Sequence, residues 1–208
     1  MTCLKACPHR SVALNLRPLG IELWTTHNAT ASEVALLLLL FGAVFLHHLP
    51  ELNQWLAQGL GWNLPLEQVG VHAGFSGLAL LIPAGLVLLA DRGLRLTSSK
   101  APSFVTLAYG YLPLVLGSNL AHYLKLGLTE AGRIIPVSFA TFGYGAITAP
   151  VVVAHPAVIA FLQGVTLLAA ALFSVILTQK IARQPLLQLW PQHLAIVSLT
   201  GLLWQVIL

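Results

Sequence analysis

Charged residues are scarce in this chain of 208 residues. They make up 8% of it, whereas apolar residues make up 57%. A soluble domain is about a quarter charged and about half apolar, and a disordered chain is poor in apolar residues and rich in charge. Both classes are therefore excluded, and we expect a protein that crosses a lipid bilayer several times. The ten Lys and Arg residues form no basic stripe, so we expect no nucleic-acid partner.

Cysteine is almost absent as well. The two cysteines are Cys3 and Cys7. Because both lie within the first seven residues, a disulfide between them could not cross-link distant parts of a large fold. The first 30 residues hold no long apolar run, so we expect no signal peptide. Within them, the alternation of apolar residues over 11–17 predicts a short strand, which Pro18 ends.

Long apolar runs fill the rest of the chain. Because a helix needs about 20 apolar residues to cross a bilayer, the sequence predicts an all-α polytopic membrane protein with about five transmembrane helices. The predicted spans are 32–49, 68–90, 102–124, 157–178 and 187–208. Residues 1–30 form a separate N-terminal segment, and residues 31–208 form the transmembrane helical domain.

Three local patterns refine these boundaries. Thr30-x-x-Glu33 has the spacing of a capping box and predicts the start of the first helix. Gly74-x-x-Gly77 allows close packing of the second helix on a neighbour. The charges at 91–100 predict a loop between the second and third spans.

The distribution of positive charge decides between two topologies. If 134–154 does not cross, eight Lys and Arg residues lie on the side of the N-terminus and two on the other side. If it crosses, the split is six to four. We therefore expect five spans, a cytoplasmic N-terminus, and a re-entrant or lid segment at 134–154 on the outer side.

Five of the eight histidines fall near the outer ends of the predicted spans, and they are His47, His48, His72, His122 and His155. Imidazole suits copper, zinc and iron, and a histidine also moves protons near neutral pH. Three alternatives therefore stay open. One is a metal site, the second is haem b held by His72 and His122, and the third is a quinol site in which a histidine passes protons.

The two histidines of the haem alternative are predicted to lie at one depth. His72 and His122 are each about 30 Å from the inner boundary, at about 1.5 Å per helical residue. They face each other if the second and third spans are antiparallel neighbours. Ser118 and Asn119 precede His122 by about one turn, so we expect them to fix its tautomer. Glu51, Glu67 and Glu130 are predicted on the same side.

A cluster motif begins the chain. Cys3-Leu-Lys-Ala-Cys7-Pro8 has the spacing C-x3-C-P, and thiolates suit iron–sulfur clusters and zinc. The ferredoxin-type run is C-x2-C-x2-C-x3-C-P, and its last two cysteines and its proline match these residues. Two thiolates cannot hold a [4Fe-4S] cluster alone. We expect Cys3 and Cys7 to be ligands together with cysteines of a longer or partner chain, and we expect Met1 to be an internal methionine or the chain a fragment.

The segment from Cys7 to His27 resembles the closing half of a bacterial ferredoxin repeat. With the apolar runs that follow, the chain is similar to the membrane-bound polyferredoxins, above all the cyanobacterial type. The similarity continues through 119–123 and 178–183. This resemblance implies a [4Fe-4S] electron-transfer protein of the bacterial plasma membrane, an electron carrier or accessory subunit more than a stand-alone enzyme.

The partners follow from the same resemblance. Cytoplasmic-side clusters would exchange electrons with a quinone or a redox partner protein. A different class of function stays open beside it. The outer-face histidines would then serve metal or proton transport, or a maturation factor that handles a metal such as copper.

Overall fold

Helices make up all the regular structure that is described. The structure, a computed structural model, describes residues 21–25, 28–98, 101–144, 151 and 153–208. No strand occurs within these ranges, so the predicted all-α class is confirmed for them. Cys3, Cys7 and the strand predicted at 11–17 lie outside the described residues.

The described part of the chain is divided among long and short helices. The α-helices are α1 (Glu22–Thr25), α2 (Ala31–His47), α3 (Leu49–Leu60), α4 (Val69–Thr97), α5 (Phe104–Ala108), α6 (Leu112–Glu130), α7 (Ile134–Thr141), α8 (Pro156–Ala182) and α9 (Trp190–Ile207). Short 3-10 turns are Tyr109–Tyr111, Ala131–Arg133 and Leu186–Leu189.

Several of these helices have the length and composition of membrane spans. Four stretches qualify alone, and they are Val69–Thr97, Phe104–Thr141, Pro156–Ala182 and Leu186–Ile207. The pair α2 and α3 qualifies together as a fifth, with a bend of 71° between its halves. The four or five candidate spans agree with the predicted number.

Helix α2 begins where the sequence predicts it. The backbone N–H of Glu33 donates to the hydroxyl of Thr30 at 3.4 Å, and the backbone N–H of Thr30 donates to the Glu33 carboxylate at 3.0 Å. This exchange satisfies two donors that the first turn of a helix leaves open. The predicted capping box is confirmed. The hydroxyl of Tyr109 donates to the same carboxylate at 2.5 Å and ties this end of α2 to the third span.

A sharp corner follows α2. The helix ends at His47, and α3 leaves at an angle of 71°. Pro50 has no N–H to donate to a carbonyl of α2, so a continuous helix would lose one hydrogen bond there. In the first turn of α3 the same missing N–H costs no helical hydrogen bond. His48 therefore lies at the corner, outside both helices.

Helix α4 extends beyond the predicted second span. It continues to Thr97, so the loop predicted at 91–100 is wrong over residues 91–97. Arg95 donates two hydrogen bonds to the Asp91 carboxylate, at 2.8 and 3.0 Å. A bidentate pair one turn apart stabilises a helix. The charges that suggested a loop therefore extend the helix instead.

The third span is one helical stretch of 38 residues, Phe104–Thr141. The turn at Tyr109–Tyr111 is tightened to 3-10 geometry just before Pro113, whose ring cannot fit against a regular preceding turn. The first part of the segment predicted as a lid, Ile134–Thr141, continues this stretch as α7. Residues 145–150 and 152 lie outside the described residues.

The long helices pack as a bundle in which successive spans run in opposite directions. Helix α2 packs between α4 and α6, α8 packs along α6, and α9 packs against α4 and α8. The prediction that the second and third spans are neighbours along their length is wrong, because α2 and α9 pack between them. We call the end that holds the last turn of α2 and the first turn of α8 the histidine end. The opposite end, where α4 and α8 finish, is the basic end.

Candidate functional site

A polar cavity opens at the histidine end of the bundle. Its volume is about 630 Å³, within the usual range for small-molecule sites. The side chains that matter below are His48, Glu51, His122, Lys125, Gln163 and Gln205. Polar groups are rare in this chain, so their convergence at one place makes the cavity the candidate site.

Two imidazoles meet at the edge of the cavity. Nε2 of His48 and Nδ1 of His122 are 2.9 Å apart, which is a hydrogen bond. The ring of His47 stacks on that of His122, with centroids 5.1 Å apart and planes 13° apart. The ring of Tyr123 meets His122 edge to face at 4.7 Å. The orientation of His122 is therefore fixed by three neighbouring rings, two of them from α2 and its corner.

The corner between α2 and α3 explains why these groups meet. It holds His48 half-buried against α6, and the first turn of α3 then carries Glu51 back towards it. Oε2 of Glu51 lies 3.7 Å from Nδ1 of His48. That nitrogen is buried and has no hydrogen-bond partner within the described ranges. Glu51, three residues after His48, therefore lies beside its buried nitrogen at this corner.

An amide also lines the cavity. Gln163 is 4% exposed, and its Nε2 donates to the backbone carbonyl of Ala121 at 2.9 Å. Only the amide nitrogen can donate to a carbonyl. Oε1 is then the acceptor of this amide, on a residue that lines the cavity. Ala121, which binds this amide, directly precedes His122 in the chain. The same turn of α6 therefore positions both the Gln163 amide and the His122 imidazole.

The structure brings together three of the five predicted histidines. His47, His48 and His122 are in contact. The imidazole of His72 is exposed and has no side-chain partner among the described residues. Nδ1 of His155 accepts from the backbone N–H of Ala157 at 3.2 Å, which caps the start of α8.

The predicted partners of His122 are wrong. Ser118 and Asn119 both donate to the backbone carbonyl of Val115, at 2.9 and 2.8 Å. Short polar side chains in a helix reach the carbonyl three or four residues earlier more easily than a side chain one turn ahead. The partner of the His122 ring is His48 instead, which is 74 residues away in the chain.

Within the described ranges, no group of three or more His, Cys, Asp or Glu side chains is arranged to hold a metal ion. The iron–sulfur ligands Cys3 and Cys7 lie outside those ranges. They would supply two of the four thiolates that a [4Fe-4S] cluster takes.

The sequence interpretation missed the contributions of Lys125, Gln163 and Gln205 to the cavity. A polar side chain inside a candidate span is itself a signal of function, and Gln163 in the apolar run of α8 carries that signal. Glu51 and Glu130 were predicted on this side. Glu51 lines the cavity, whereas Glu130 pairs with Arg133 at 3.5 Å.

Comparison with known proteins does not identify the chain, since no family model, curated protein or solved structure matches it.

Proposed function

We propose that this chain is the membrane part of an iron–sulfur electron-transfer protein, and that the cavity at the histidine end binds the headgroup of a quinone. The observation that carries the proposal is the hydrogen-bonded pair His48–His122 at the edge of a cavity within an apolar bundle. Quinone chemistry moves protons together with electrons, and histidine is the side chain that exchanges protons near neutral pH.

The cavity has the features that such a headgroup needs. A volume of about 630 Å³ accommodates a single substituted ring. Hydrogen-bonding groups reach it from two helices, with His122 on α6 and Gln163 on α8. The surrounding helices expose leucine and valine side chains along which an isoprenoid tail can lie, as on α6 and α8. The ligand is thus expected to be amphipathic, with a polar ring and an apolar tail.

The electron-transfer half of the proposal depends on the start of the chain. Cys3, Cys7 and Pro8 match the end of a ferredoxin cluster motif. When bound, a [4Fe-4S] cluster supplies one-electron transfer, and these two thiolates would be part of its ligand set. The N-terminal segment joins α2 at its first turn, about 25 Å from the cavity at 1.5 Å per residue. A further redox group or partner is therefore required between the two.

Quinone binding tests the cavity directly. The protein in detergent micelles is titrated with decylubiquinone, and tryptophan fluorescence is followed because Trp55 lines the cavity. We expect His122→Ala to weaken binding about tenfold, which corresponds to about 1.4 kcal/mol and to the loss of one good hydrogen bond. His193→Ala is the matched control, since His193 lies near the basic end of α9.

The two variants separate the proposal from non-specific partitioning. Equal quenching in wild type, His122→Ala and His193→Ala would mean that decylubiquinone only dissolves in the micelle. In the same anaerobic preparation, made from the gene with any in-frame codons upstream of Met1, iron and acid-labile sulfide are measured. Iron and sulfide that disappear in Cys3→Ser support the cluster, and a Soret band would reveal haem as the further redox group.

Metal or proton handling is the second candidate function. The observation that favours it is the contact of His47, His48 and His122 at one corner. Copper or zinc bound to the purified protein, lost on His48→Ala and without iron or sulfide, would support this candidate and contradict the electron-transfer proposal.

A further inference from the structure

A directed series of polar groups leads from the cavity to the surface. His122 is hydrogen-bonded through Nδ1 to Nε2 of His48 at 2.9 Å. Nδ1 of His48 faces the Glu51 carboxylate at 3.7 Å. Glu51 is half exposed, so a small rotation of its flexible side chain closes that gap to a hydrogen bond. Three side chains from the corner, α3 and α6 thus form one row.

The chemistry of the carboxylate gives this row a direction. An ionised carboxylate only accepts hydrogen bonds, so the facing Nδ1 of His48 carries the proton. A neutral imidazole has one donor and one acceptor nitrogen, and Nε2 of His48 is then an acceptor. His122 must donate to it from Nδ1. The remaining nitrogen of His122, Nε2, is left with a free lone pair.

We propose that Glu51 is a positioning residue that holds His48 and His122 both as Nδ1–H tautomers, so that His122 offers an acceptor nitrogen to a hydroxyl group in the cavity. The identity of the ligand rests on the proposed function, under which the hydroxyl belongs to the reduced headgroup, a quinol. Oε1 of Gln163, a residue that also lines the cavity, offers a second acceptor. A cavity with two fixed acceptors binds a quinol, which donates, better than a quinone, which only accepts.

The other charged and titratable groups nearby are consistent with this direction. His47 stacks face to face on His122 and takes up neither of its ring nitrogens. Lys125 on α6 is exposed and is a donor only, so it cannot replace Glu51 as the acceptor. The cavity-lining residues named from α8 and α9, Gln163 and Gln205, are uncharged.

The test is the tautomeric state of the histidines, read by ¹⁵N NMR of histidine-labelled protein in micelles at about pH 8, where imidazoles are neutral. His48→Gln and His122→Gln assign the two signals. We expect both residues to be Nδ1–H in the wild type. In Glu51→Ala we expect both to reverse to Nε2–H, since nothing then holds the proton at Nδ1 of His48. Glu51→Asp is expected to restore part of the wild-type pattern.

A matched control stands at the same end of the bundle. Glu130 pairs with Arg133, and Glu130→Ala is expected to leave both tautomers as in the wild type. An Nε2–H signal for His122 in the wild type, or identical spectra for wild type and Glu51→Ala, would overturn the inference.

Ligand preference separates this inference from the proposed function. We expect wild type to bind decylubiquinol about tenfold more tightly than decylubiquinone, and Glu51→Ala to lose that preference. If the tautomers reverse as expected but neither compound binds, the positioning role of Glu51 stands and the quinone proposal fails. If both compounds bind but Glu51→Ala changes neither the tautomers nor the preference, the inference fails alone.

Discussion

Tyr111 is the largest side chain that is fully buried within the described residues, and its hydroxyl group has a single strong partner. It donates to Oε1 of Gln192 on α9 at 2.5 Å, and Gln192 is 1% exposed. A buried acceptor without its donor loses the interaction and stays desolvated. This hydrogen bond therefore joins the third span to the last one near the basic end.

We expect Tyr111→Phe to lower the free energy of unfolding by about 1 kcal/mol, because it leaves Oε1 of Gln192 buried without its donor. Tyr123→Phe, on the exposed side of α6, is the control and should unfold as the wild type does. Unfolding is followed by circular dichroism during SDS titration in mixed micelles. Equal midpoints for the two variants would show that the hydrogen bond contributes no stability.

Close contacts between helices depend on small residues, which let backbones approach in a membrane. A Cβ at Gly42 would collide with the backbone carbonyl of Leu80, where α2 meets α4. Gly117 meets the methyl group of Ala170 in the same way, where α6 meets α8. By contrast, a Cβ at Gly74 or Gly77 would meet open space, so no described helix packs closely on that pair.

We expect Gly42→Ala to destabilise the bundle by about 1–3 kcal/mol, because its neighbour is a backbone carbonyl that cannot rotate away. Gly85→Ala makes the matched comparison, since a Cβ there meets nothing within 4 Å. It should be neutral or stabilising by up to about 1 kcal/mol, as alanine favours a helix. The same SDS titration measures both, and a Gly42→Ala midpoint at or above that of Gly85→Ala would contradict the contact.

The sequence predicts features that depend on neighbouring residues and misses features that depend on which helices meet. The Thr30–Glu33 box is local, and its prediction is confirmed. Counting residues from the span boundaries correctly placed His47, His48 and His122 at one end of the bundle. It could not show that α2 packs between α4 and α6, the helices that carry His72 and His122. Neither periodicity nor charge specifies lateral order in a bundle.

At the scale of the whole molecule, the two ends differ in charge. The basic end carries Arg92, Arg95, Lys180 and Arg183, whereas the histidine end carries Lys125 and Arg133. Positively charged residues favour the cytoplasmic side of a membrane. The expected orientation puts the basic end and the N-terminus in the cytoplasm, and it puts the cavity at the outer face.

We expect a cysteine introduced at Glu130 to react with a membrane-impermeant maleimide added to intact cells, and one introduced at Arg183 to react only after the cells are lysed. Both positions are exposed and lie at opposite ends of the bundle. The unaltered protein controls for labelling of Cys3 and Cys7. Labelling of Arg183→Cys but not of Glu130→Cys in intact cells would reverse the orientation.

The corner after α2 has a consequence for the surrounding lipid. A straight helix of 17 residues is about 25 Å long, whereas the hydrocarbon layer of a bilayer is about 30 Å thick. Leu36, Leu39 and Leu40 are exposed along this helix, so acyl chains next to it must shorten or tilt to match it. The bilayer would then be dimpled on this flank of the protein. Such a dimple lowers the polar headgroups towards the cavity and shortens the route by which an amphipathic molecule passes from the leaflet to His122.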